Sequence, residues 1–213
     1  MKVILTFDVE GDLKIDRVIL RILEKYDLPA IFFLEGRWIE RFPKDARQIS
    51  KKFLIGNHSY SHLYFKNLHA KQQEAEIQKC DKLLNRLARN SNKKIFRAPF
   101  TKSDSRLFFI LKKNNYHYDS SVVKYVCKNP GKFHGIKEFF VNIPSDYDLF
   151  VRCKLHEQSA FKLVNSFFNF QTFFKNIAVL DLHPTYKWGI KSYPEFFDKI
   201  CSTINKKFEP TTI

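Results

Sequence analysis

Four short apolar runs, each ending in a cluster of polar residues, constrain the fold of this chain more than any other feature of its sequence. The clusters are Thr6-Phe7-Asp8-Val9-Glu10, His58-Ser59-Tyr60-Ser61-His62, Arg97-Ala98-Pro99-Phe100 and Leu180-Asp181-Leu182-His183-Pro184. Parallel β/α folds place their chemistry at the carboxyl ends of strands, where loops converge on one face. We therefore expect the four clusters to meet at a single site.

Apolar runs alternate with stretches of helical periodicity along the whole chain. The predicted strands span residues 2–8, 30–34, 53–56, 94–97, 116–119, 139–142 and 178–182. Apolar residues spaced as on one helical face, beginning at Ile15, predict helices between most of them. This alternation predicts one α/β domain over residues 1–213, with a mostly parallel sheet that is either open or closed into a barrel.

The composition is strongly basic. Lysine and arginine outnumber aspartate and glutamate by 37 to 22, which gives a formal net charge of +15. Such a field favours contact with polyanions or anionic lipid headgroups. The sequence has no RNP-type motif, paired zinc-finger ligands or recognition helix, so we do not expect it to bind nucleic acid. The four cysteines form no CxxC pair, which argues against a zinc ribbon or a redox dithiol.

His58 and His62 stand four residues apart, directly after a predicted strand and a Gly56-Asn57 turn. On a helical turn, this spacing brings two imidazole rings to one face, where both can bind a single metal ion. A catalytic divalent ion typically takes three protein ligands and leaves one position open for water. The pair therefore predicts part of a metal site whose third ligand comes from elsewhere in the chain.

Asp8 and Glu10 lie at the end of the first predicted strand. If the chain stays extended, their side chains point the same way, because side chains of a strand alternate with a period of two. One of the two can hold the metal while the other takes a proton from the bound water. This set of residues predicts metal-assisted hydrolysis.

These residues, in this order, resemble the polysaccharide deacetylase family, the NodB-homology carbohydrate esterases, over residues 3–188. Phe7-Asp8 is similar to the first motif of the family, His58-Ser59-x-x-His62 to the second, Arg97-x-Pro99-Phe100 to the third and Leu180-x-Leu182-His183 to the last. Residues 27–34 also resemble its second strand. The resemblance implies a distorted (β/α)₇ barrel and metal-dependent removal of an N-acyl group, acetyl or formyl, from an amino sugar or a sugar-containing carrier.

The resemblance also implies a role for each matching residue. Asp8 would be the general base, and His58 and His62 would bind one divalent ion, with Zn²⁺ expected. Arg97 would pair with Asp8 and keep it ionised, because a nearby cation favours the charged carboxylate. His183 would protonate the departing amine, a task that suits a group titrating near neutrality.

Three further residues are expected to contact the substrate. By the same resemblance, Leu182 would line the pocket for the acyl methyl group. The backbone N–H of Phe100 is our candidate donor to the oxyanion of the tetrahedral intermediate. Trp188, with Tyr186, either offers a stacking face for a sugar or covers the mouth of the barrel.

The sequence departs from the family pattern in two places. The family commonly has a second aspartate after the base as a metal ligand, but Val9 occupies that position, so Glu10 is the expected replacement. The motif that supports the acid histidine is not recognisable, and Asp119, Asp146 and Asp148 are its candidate carboxylates.

A second class of function therefore stays open: a catalytically inactive sugar- or lipid-binding protein on the same scaffold. The start of the chain shows no secretory signal, so the cytoplasm is the expected compartment. Residues 161–174 carry phenylalanines on roughly one helical face, which is typical either of a core helix or of a membrane-contacting surface. With the basic charge, this segment predicts possible peripheral contact with the inner membrane surface and a substrate that is anionic or lipid-linked.

Overall fold

The computed structural model describes residues 1–87 and 94–213. Its strands are β1 (Lys2–Val9), β2 (Ala30–Leu34), β3 (Leu54–Asn57), β4 (Ile95–Phe96), β5 (Tyr118–Asp119), β6 (Gly131–Phe133), β7 (Ile136–Glu138), β8 (Ala178–Leu182) and β9 (Glu209–Pro210). Its α-helices are α1 (Arg17–Lys25), α2 (Gly36–Arg41), α3 (Pro43–Lys52), α4 (Ala70–Leu87), α5 (Arg106–Lys113), α6 (Glu157–Phe173) and α7 (Pro194–Lys207). None of these helices is long and apolar enough to cross a bilayer.

The strands form one mixed sheet in the order β6-β7-β5-β4-β3-β2-β1-β8, and β9 also pairs with β1. All neighbouring strands run parallel except β6 and β7, which form an antiparallel pair. A single parallel bridge between Ile143 and Leu180 links the chain after β7 to β8 at the other edge. The predicted α/β fold, a distorted barrel in one domain, is confirmed. The barrel is irregular at this point, because one isolated bridge takes the place of a full strand pair.

The sixth predicted strand is wrong in its position. The strand at this place is β7, which ends at Glu138, and residues 139–142 carry only an isolated bridge between Val123 and Val141. The side chain of Asn142 replaces the missing ladder, because its Oδ1 accepts from the backbone of Val179 at 2.8 Å and its Nδ2 donates to Ile177 at 2.8 Å. A polar side chain thus satisfies backbone groups that a strand would otherwise pair.

Two helices replace the single helical stretch that the sequence predicts before Lys52. The break falls at Phe42, and Pro43 occupies the first turn of α3, where its missing N–H costs no hydrogen bond. The short strands β6 and β9 were not predicted. β6 lies at one edge of the sheet, and β9 pairs with the amino end of β1, away from the carboxyl end that carries the candidate site.

Two apolar layers hold the sheet. The inner face of the barrel carries a cluster formed by Ile4, Ile31, Phe33, Ile95, Phe139, Val141 and Val179. The outer face carries alternate residues of the same strands, such as Phe7, whose ring stacks on Phe32 at 4.6 Å and meets Phe197 of α7 edge-on at 5.8 Å. This alternation follows from the period of two along a strand.

The inner face changes from apolar to polar along the direction of the strands. On β1, the buried inward residues run from Ile4 through Thr6 to Asp8, and on β8 they run from Val179 to Asp181. The register aligns Thr6 with Asp181. The barrel therefore has an apolar floor at the amino ends of its strands and a polar site at their carboxyl ends.

Candidate active site

One group of donor atoms, which we call the first triad, consists of Glu10, His58 and His62. One ligand atom of each residue lies within 4.8 Å of those of the other two. The Nε2 atom of His58 is 3.0 Å from Oε2 of Glu10, and Nε2 of His62 contacts the same oxygen. Glu10 and His58 are buried, with 5% and 0% of their surface exposed. Three metal-binding atoms thus converge on one point from loops that follow β1 and β3.

The surroundings of the first triad fit a divalent ion. The Nδ1–H of His58 donates to the backbone oxygen of Arg97 at 2.9 Å, which leaves Nε2 as the free nitrogen that faces Glu10. Metal-binding histidines are commonly oriented by such a bond from the second ring nitrogen. Two imidazole nitrogens and one carboxylate also match a known ligand set of catalytic zinc. The residues present are therefore able to hold the ion that the sequence predicts.

The predicted helical turn between His58 and His62 is wrong. Both histidines lie in a loop between β3 and α4, in which Ser59 and His62 have left-handed φ angles of 64° and 53°. Side-chain bonds hold this loop: Asn57 Oδ1 accepts from the Ser59 N–H at 2.8 Å, and Ser59 Oγ accepts from the His62 N–H at 3.1 Å. The two rings still come together, with centroids 5.1 Å apart.

Charge and burial act against each other in the first triad. Burial raises the pKa of Glu10, but hydrogen bonds and the charges of His58 and His62 outweigh it and hold that pKa well below the usual range. Burial lowers the pKa of His58, but the charges of Asp8 and Glu10 raise it to about 9. The buried carboxylates thus favour positive charge at His58, and they would favour a bound cation in the same way.

Arg97 is fully buried and joins the base to a second carboxylate. Its Nη1 donates to Asp8 Oδ1 at 2.9 Å, to Asp181 Oδ1 at 2.6 Å and to Thr6 Oγ1 at 2.8 Å. Its Nε and Nη2 donate to the backbone oxygen and hydroxyl of Ser120 at 2.9 and 2.8 Å. The pairing of Arg97 with Asp8, which the resemblance implies, is thus present in the structure, and Asp181 is an addition that it did not suggest.

Asp8, Asp181 and His183 form a second triad, whose ligand atoms also lie within 4.8 Å of one another. Its composition is that of a metal site. However, the Arg97 guanidinium already contacts both carboxylates and supplies a positive charge there. The first triad is therefore the stronger candidate for a metal site.

His183 is oriented by Asp146, one of the three carboxylates that the sequence left open. Its Nδ1 lies 2.7 Å from Asp146 Oδ1, and its backbone N–H donates to Oδ2 at 2.8 Å. Asp146 also accepts from the backbone N–H groups of Tyr147 and Ile190 at 3.0 and 2.9 Å. Burial lowers the pKa of His183, but the charges of Asp146 and Asp181 raise it to about 10. His183 is therefore protonated at neutral pH.

The other two candidate carboxylates are engaged elsewhere. Asp119 accepts from the Ser121 hydroxyl at 2.7 Å and shares a buried site with Glu138, whose pKa is raised by its own burial and by the charge of Asp119. Asp148 accepts from the Tyr125 hydroxyl at 3.0 Å and pairs with Arg152. Neither has a hydrogen bond to His183 among the described residues.

Aromatic rings border the site on two sides. The Trp188 ring stacks on Tyr186 with centroids 4.6 Å apart and lies 4.9 Å from the ring of His183. On the side of the first triad, the half-exposed ring of Phe100 lies 4.6 Å from that of His62. Phe100 has a left-handed φ of 60°, which reorients its backbone just after Arg97. The structure thus brings Phe100 and Trp188 to opposite borders of the site.

Leu182 does not reach the site. It is fully buried and belongs to the outer apolar cluster with Phe7, with which it is aligned in the β1–β8 register. Neighbouring residues of a strand face opposite sides, so Leu182 points away from the face that carries Asp181. The role expected for it in an acyl pocket is corrected: its side chain packs between sheet and helices.

Two residues near the site, Asp181 and Glu35, were not predicted, and neither was the contact of Tyr186 with Glu10. Asp181 is a charged residue inside an otherwise apolar strand, and that contrast was a signal in the sequence. Glu35 is buried beyond the first triad, where its Oε2 accepts from the Gly11 N–H at 3.0 Å and burial raises its pKa. Tyr186 hydrogen-bonds Glu10, and its pKa is raised by burial and by that carboxylate. No local pattern points to Glu35.

Comparison with known proteins connects this geometry to one family. Residues 1–118 match the family model described as polysaccharide deacetylase. A peptidoglycan-N-acetylglucosamine deacetylase of Bacillus cereus is 38% identical over 88 residues, which are 41% of this chain and 32% of that protein. The match thus spans about a third of that relative's length.

Solved structures share the fold at low sequence identity. The Bc1960 peptidoglycan N-acetylglucosamine deacetylase superimposes with a TM-score of 0.72 and 22% identity over 99% of this chain and 85% of its own. BA3943 of Bacillus anthracis, described as a CE4 family pseudoenzyme, gives a TM-score of 0.69 and 21% identity over 97% of this chain and 62% of its own. The fold therefore occurs both in an enzyme and in a protein described as a pseudoenzyme.

Proposed function

The chain belongs to the polysaccharide deacetylase family, and from that premise we propose that it is a metal-dependent hydrolase of N-acylated amino sugars. The bond cleaved is the linear amide between the sugar nitrogen and an acetyl or formyl group. One observation carries the proposal: the first triad, Asp8 and His183 line the same carboxyl edge of the barrel. A metal-ligand set, a base and an acid are the groups that amide hydrolysis needs.

Glu10, His58 and His62 are the proposed ligands of one divalent ion, and Zn²⁺ is the ion that two imidazoles and a carboxylate fit best. When bound, such an ion polarises the acyl carbonyl and lowers the pKa of a water molecule. Glu10 takes the place that the family commonly gives to an aspartate directly after the base. The position of Glu10 near both histidines supports this substitution.

Asp8 is the proposed general base. Arg97 holds Oδ1 of Asp8 at 2.9 Å, and the second oxygen, Oδ2, lies 3.6 Å from His58 Nε2 and so faces the first triad. The free oxygen can take a proton from the attacking water, while the bond to Arg97 fixes its direction. Such positioned acid–base catalysis contributes typically about 10²–10⁴-fold to a rate.

His183 is the proposed general acid. It is protonated at neutral pH, and Asp146 holds its Nδ1, which leaves Nε2 as the nitrogen that can give a proton to the departing amine. This transfer spares the reaction an amide anion as leaving group. Phe100, through its backbone N–H, and Trp188, through its ring, are proposed to contact the oxyanion and the sugar.

The test combines elemental analysis with amine release from a panel of N-acetylated and N-formylated sugars, free and lipid-linked. We expect one divalent ion per chain and release of the amine from at least one sugar. The second candidate function is an inactive sugar- or lipid-binding protein. It is supported by the structural similarity to a protein described as a pseudoenzyme. A chain that binds the sugars but neither holds metal nor releases amine would establish that alternative.

We also propose that the protein works in the cytoplasm at an anionic membrane surface. The support is an exposed apolar end of α6, where Phe173 and Phe174 are 82% and 59% exposed. Val126 is 73% exposed in a neighbouring loop. The Asn176 side chain, just after α6, donates to the backbone oxygen of Cys127 and so links this loop to the end of α6. Exposed lysines flank both segments: Lys124, Lys128 and Lys175. Each basic residue near an anionic surface contributes on the order of 1 kcal/mol to binding.

This surface directly precedes β8, whereas His183 directly follows it. A protein docked by this end would thus present its site to the solution, which favours a soluble substrate or a sugar held far from its lipid. Co-sedimentation with anionic and neutral vesicles at moderate salt tests the contact. Phe173→Ser should weaken binding to anionic vesicles, and Phe109→Ser, an exposed phenylalanine on α5, is the matched control. Equal failure to bind both vesicle types would remove the membrane contact and leave the hydrolase proposal intact.

A further inference from the structure

Asp181 is a buried carboxylate to which the proposed reaction gives no role. It lies on the inner face of β8, opposite Thr6 of β1, and only 4% of its surface is exposed. An isolated ionised carboxylate in such a place is strongly disfavoured unless it is paired and hydrogen-bonded. Its presence in the middle of an apolar strand therefore requires a physical reason.

The first reason is the contact of Asp181 with Arg97. Three acceptors, on Thr6, Asp8 and Asp181, lie within 2.9 Å of Nη1 of Arg97, which carries two hydrogens. The contact with Asp181 is the shortest of the three at 2.6 Å. Asp181 and Asp8 thus compete for the same donor, and the position of the guanidinium is set by both.

The second reason is the balance of charge between Asp181, Arg97 and His183. Two carboxylates share the single positive charge of Arg97, and Asp8 also lies 3.6 Å from His58, so Asp181 is the carboxylate of the pair that needs a further cation. The second triad places the His183 ring nitrogen within 4.8 Å of Asp181. Asp146, which also contacts His183, accepts three backbone N–H groups as well. His183 is therefore the cation that can balance Asp181.

We propose that Asp181 is a positioning residue that couples the two ends of the reaction: it fixes Arg97, which orients Asp8, and its negative charge keeps His183 protonated. The proposal rests on the proposed function for its effect on rate. The charged groups that face His183 include Asp146 in the segment between β7 and α6, Asp181 on β8 and Asp8 on β1. Burial raises the pKa of Asp181 to about 7, so its charge develops above that pH, in the range up to about pH 10 over which His183 must hold its proton.

The test is an NMR titration of the His183 ring in the full chain, as purified and with added Zn²⁺, which is diamagnetic. Asp181→Asn keeps the shape of the side chain and removes its charge. We expect the midpoint of His183 to fall by about 1 to 3 pH units, the usual effect of one close charge. Glu138→Gln is the matched control: it removes another buried carboxyl, which does not face His183, and should leave the midpoint in place.

Activity gives a second readout that a purely structural role would not move. In Asp181→Asn, the loss of kcat should be small at pH 7 and grow as the pH rises, with KM nearly unchanged. An unaltered His183 midpoint in a folded Asp181→Asn protein would overturn the proposal, as would a wild-type His183 that titrates near its ordinary value. If Asp181→Asn does not fold, Asp181→Ser replaces it, with the same two outcomes. Because the titration needs no turnover, it distinguishes failure of this inference from failure of the proposed hydrolase function.

Discussion

The first and second triads draw on the same two kinds of ligand atom, carboxylate oxygen and imidazole nitrogen, yet they differ in what completes them. Each contains carboxylate and histidine atoms within 4.8 Å of one another. In the second triad a protein cation, Arg97, bridges the two carboxylates. Among the residues that the structure describes, the cationic side chains in contact with Glu10 in the first triad are its two histidines. Proximity of ligand atoms therefore does not define a metal site, and the charge that the surrounding chain already supplies decides between the two.

The largest effect is expected from removing a ligand of the first triad. His58→Ala deletes a nitrogen that faces Glu10, so the bound metal should fall from about one ion per chain to near zero, with loss of activity. His183→Ala, in the second triad, should keep its metal. Elemental analysis of both purified variants measures the difference. Full metal occupancy in His58→Ala, or loss of metal in His183→Ala alone, would reverse our assignment of the two triads.

Next in size is the effect of neutralising the base. Asp8→Asn keeps the shape of the side chain and an oxygen for Arg97, but it cannot take a proton. We expect bound metal and thermal stability to stay near wild type while kcat falls by about 10²–10⁴-fold. Steady-state kinetics with metal-saturated protein provide the measurement. Turnover close to that of the wild type would show that another group removes the proton.

A smaller effect is expected from the carboxylate that orients the acid. With its pKa raised to about 10, His183 should lose its proton, and kcat should fall, as the pH rises through that value. Asp146→Asn removes the largest source of this rise, so the alkaline limb should move to lower pH and kcat should fall about 10–100-fold. Asp148→Asn, two residues further on, is the matched control, because Asp148 contacts Tyr125 and Arg152 instead. Identical pH profiles for the two variants would remove Asp146 from this role.

The two triads also differ in how much of them could be predicted from sequence. The first triad follows from local patterns: a pair of histidines with short spacing, and the period of two that places Glu10 beside Asp8. The two rings do lie close together, but not for the predicted reason, since His58 and His62 meet in a loop with left-handed residues and not on a helix. Side-chain bonds from Asn57 and Ser59 shape that loop, and periodicity carries no information about them.

The second triad depends on contacts between distant segments. Asp146 reaches His183 across 37 residues, and nothing in the sequence separated it from Asp119 and Asp148. Strict alternation along β8 was available, however. It places Asp181 on the inner face and Leu182 on the outer one. Applied to β8, it would have predicted Asp181 as a site residue and removed Leu182 from the predicted acyl pocket. The alternation of strands and helices predicted the fold, but not the short bridge that closes the barrel at Ile143.

The smallest expected effect comes from a glycine beside the second triad, which has no side chain to take part in the chemistry. Gly189 lies against the Asp146–His183 pair: a Cβ atom there would stand 2.9 Å from Asp146 Oδ2 and would overlap the backbone of His183. Gly189→Ala must therefore displace the loop after β8, at a cost of about 1–3 kcal/mol in the free energy of unfolding. Because the displacement acts on His183 and not on the first triad, kcat should fall a few-fold while metal content stays constant. Urea unfolding, kinetics and elemental analysis test this together, with Lys187→Ala in the same loop as an exposed control. If Gly189→Ala instead lost metal, the two triads would not be independent, and the contrast drawn between them would fail.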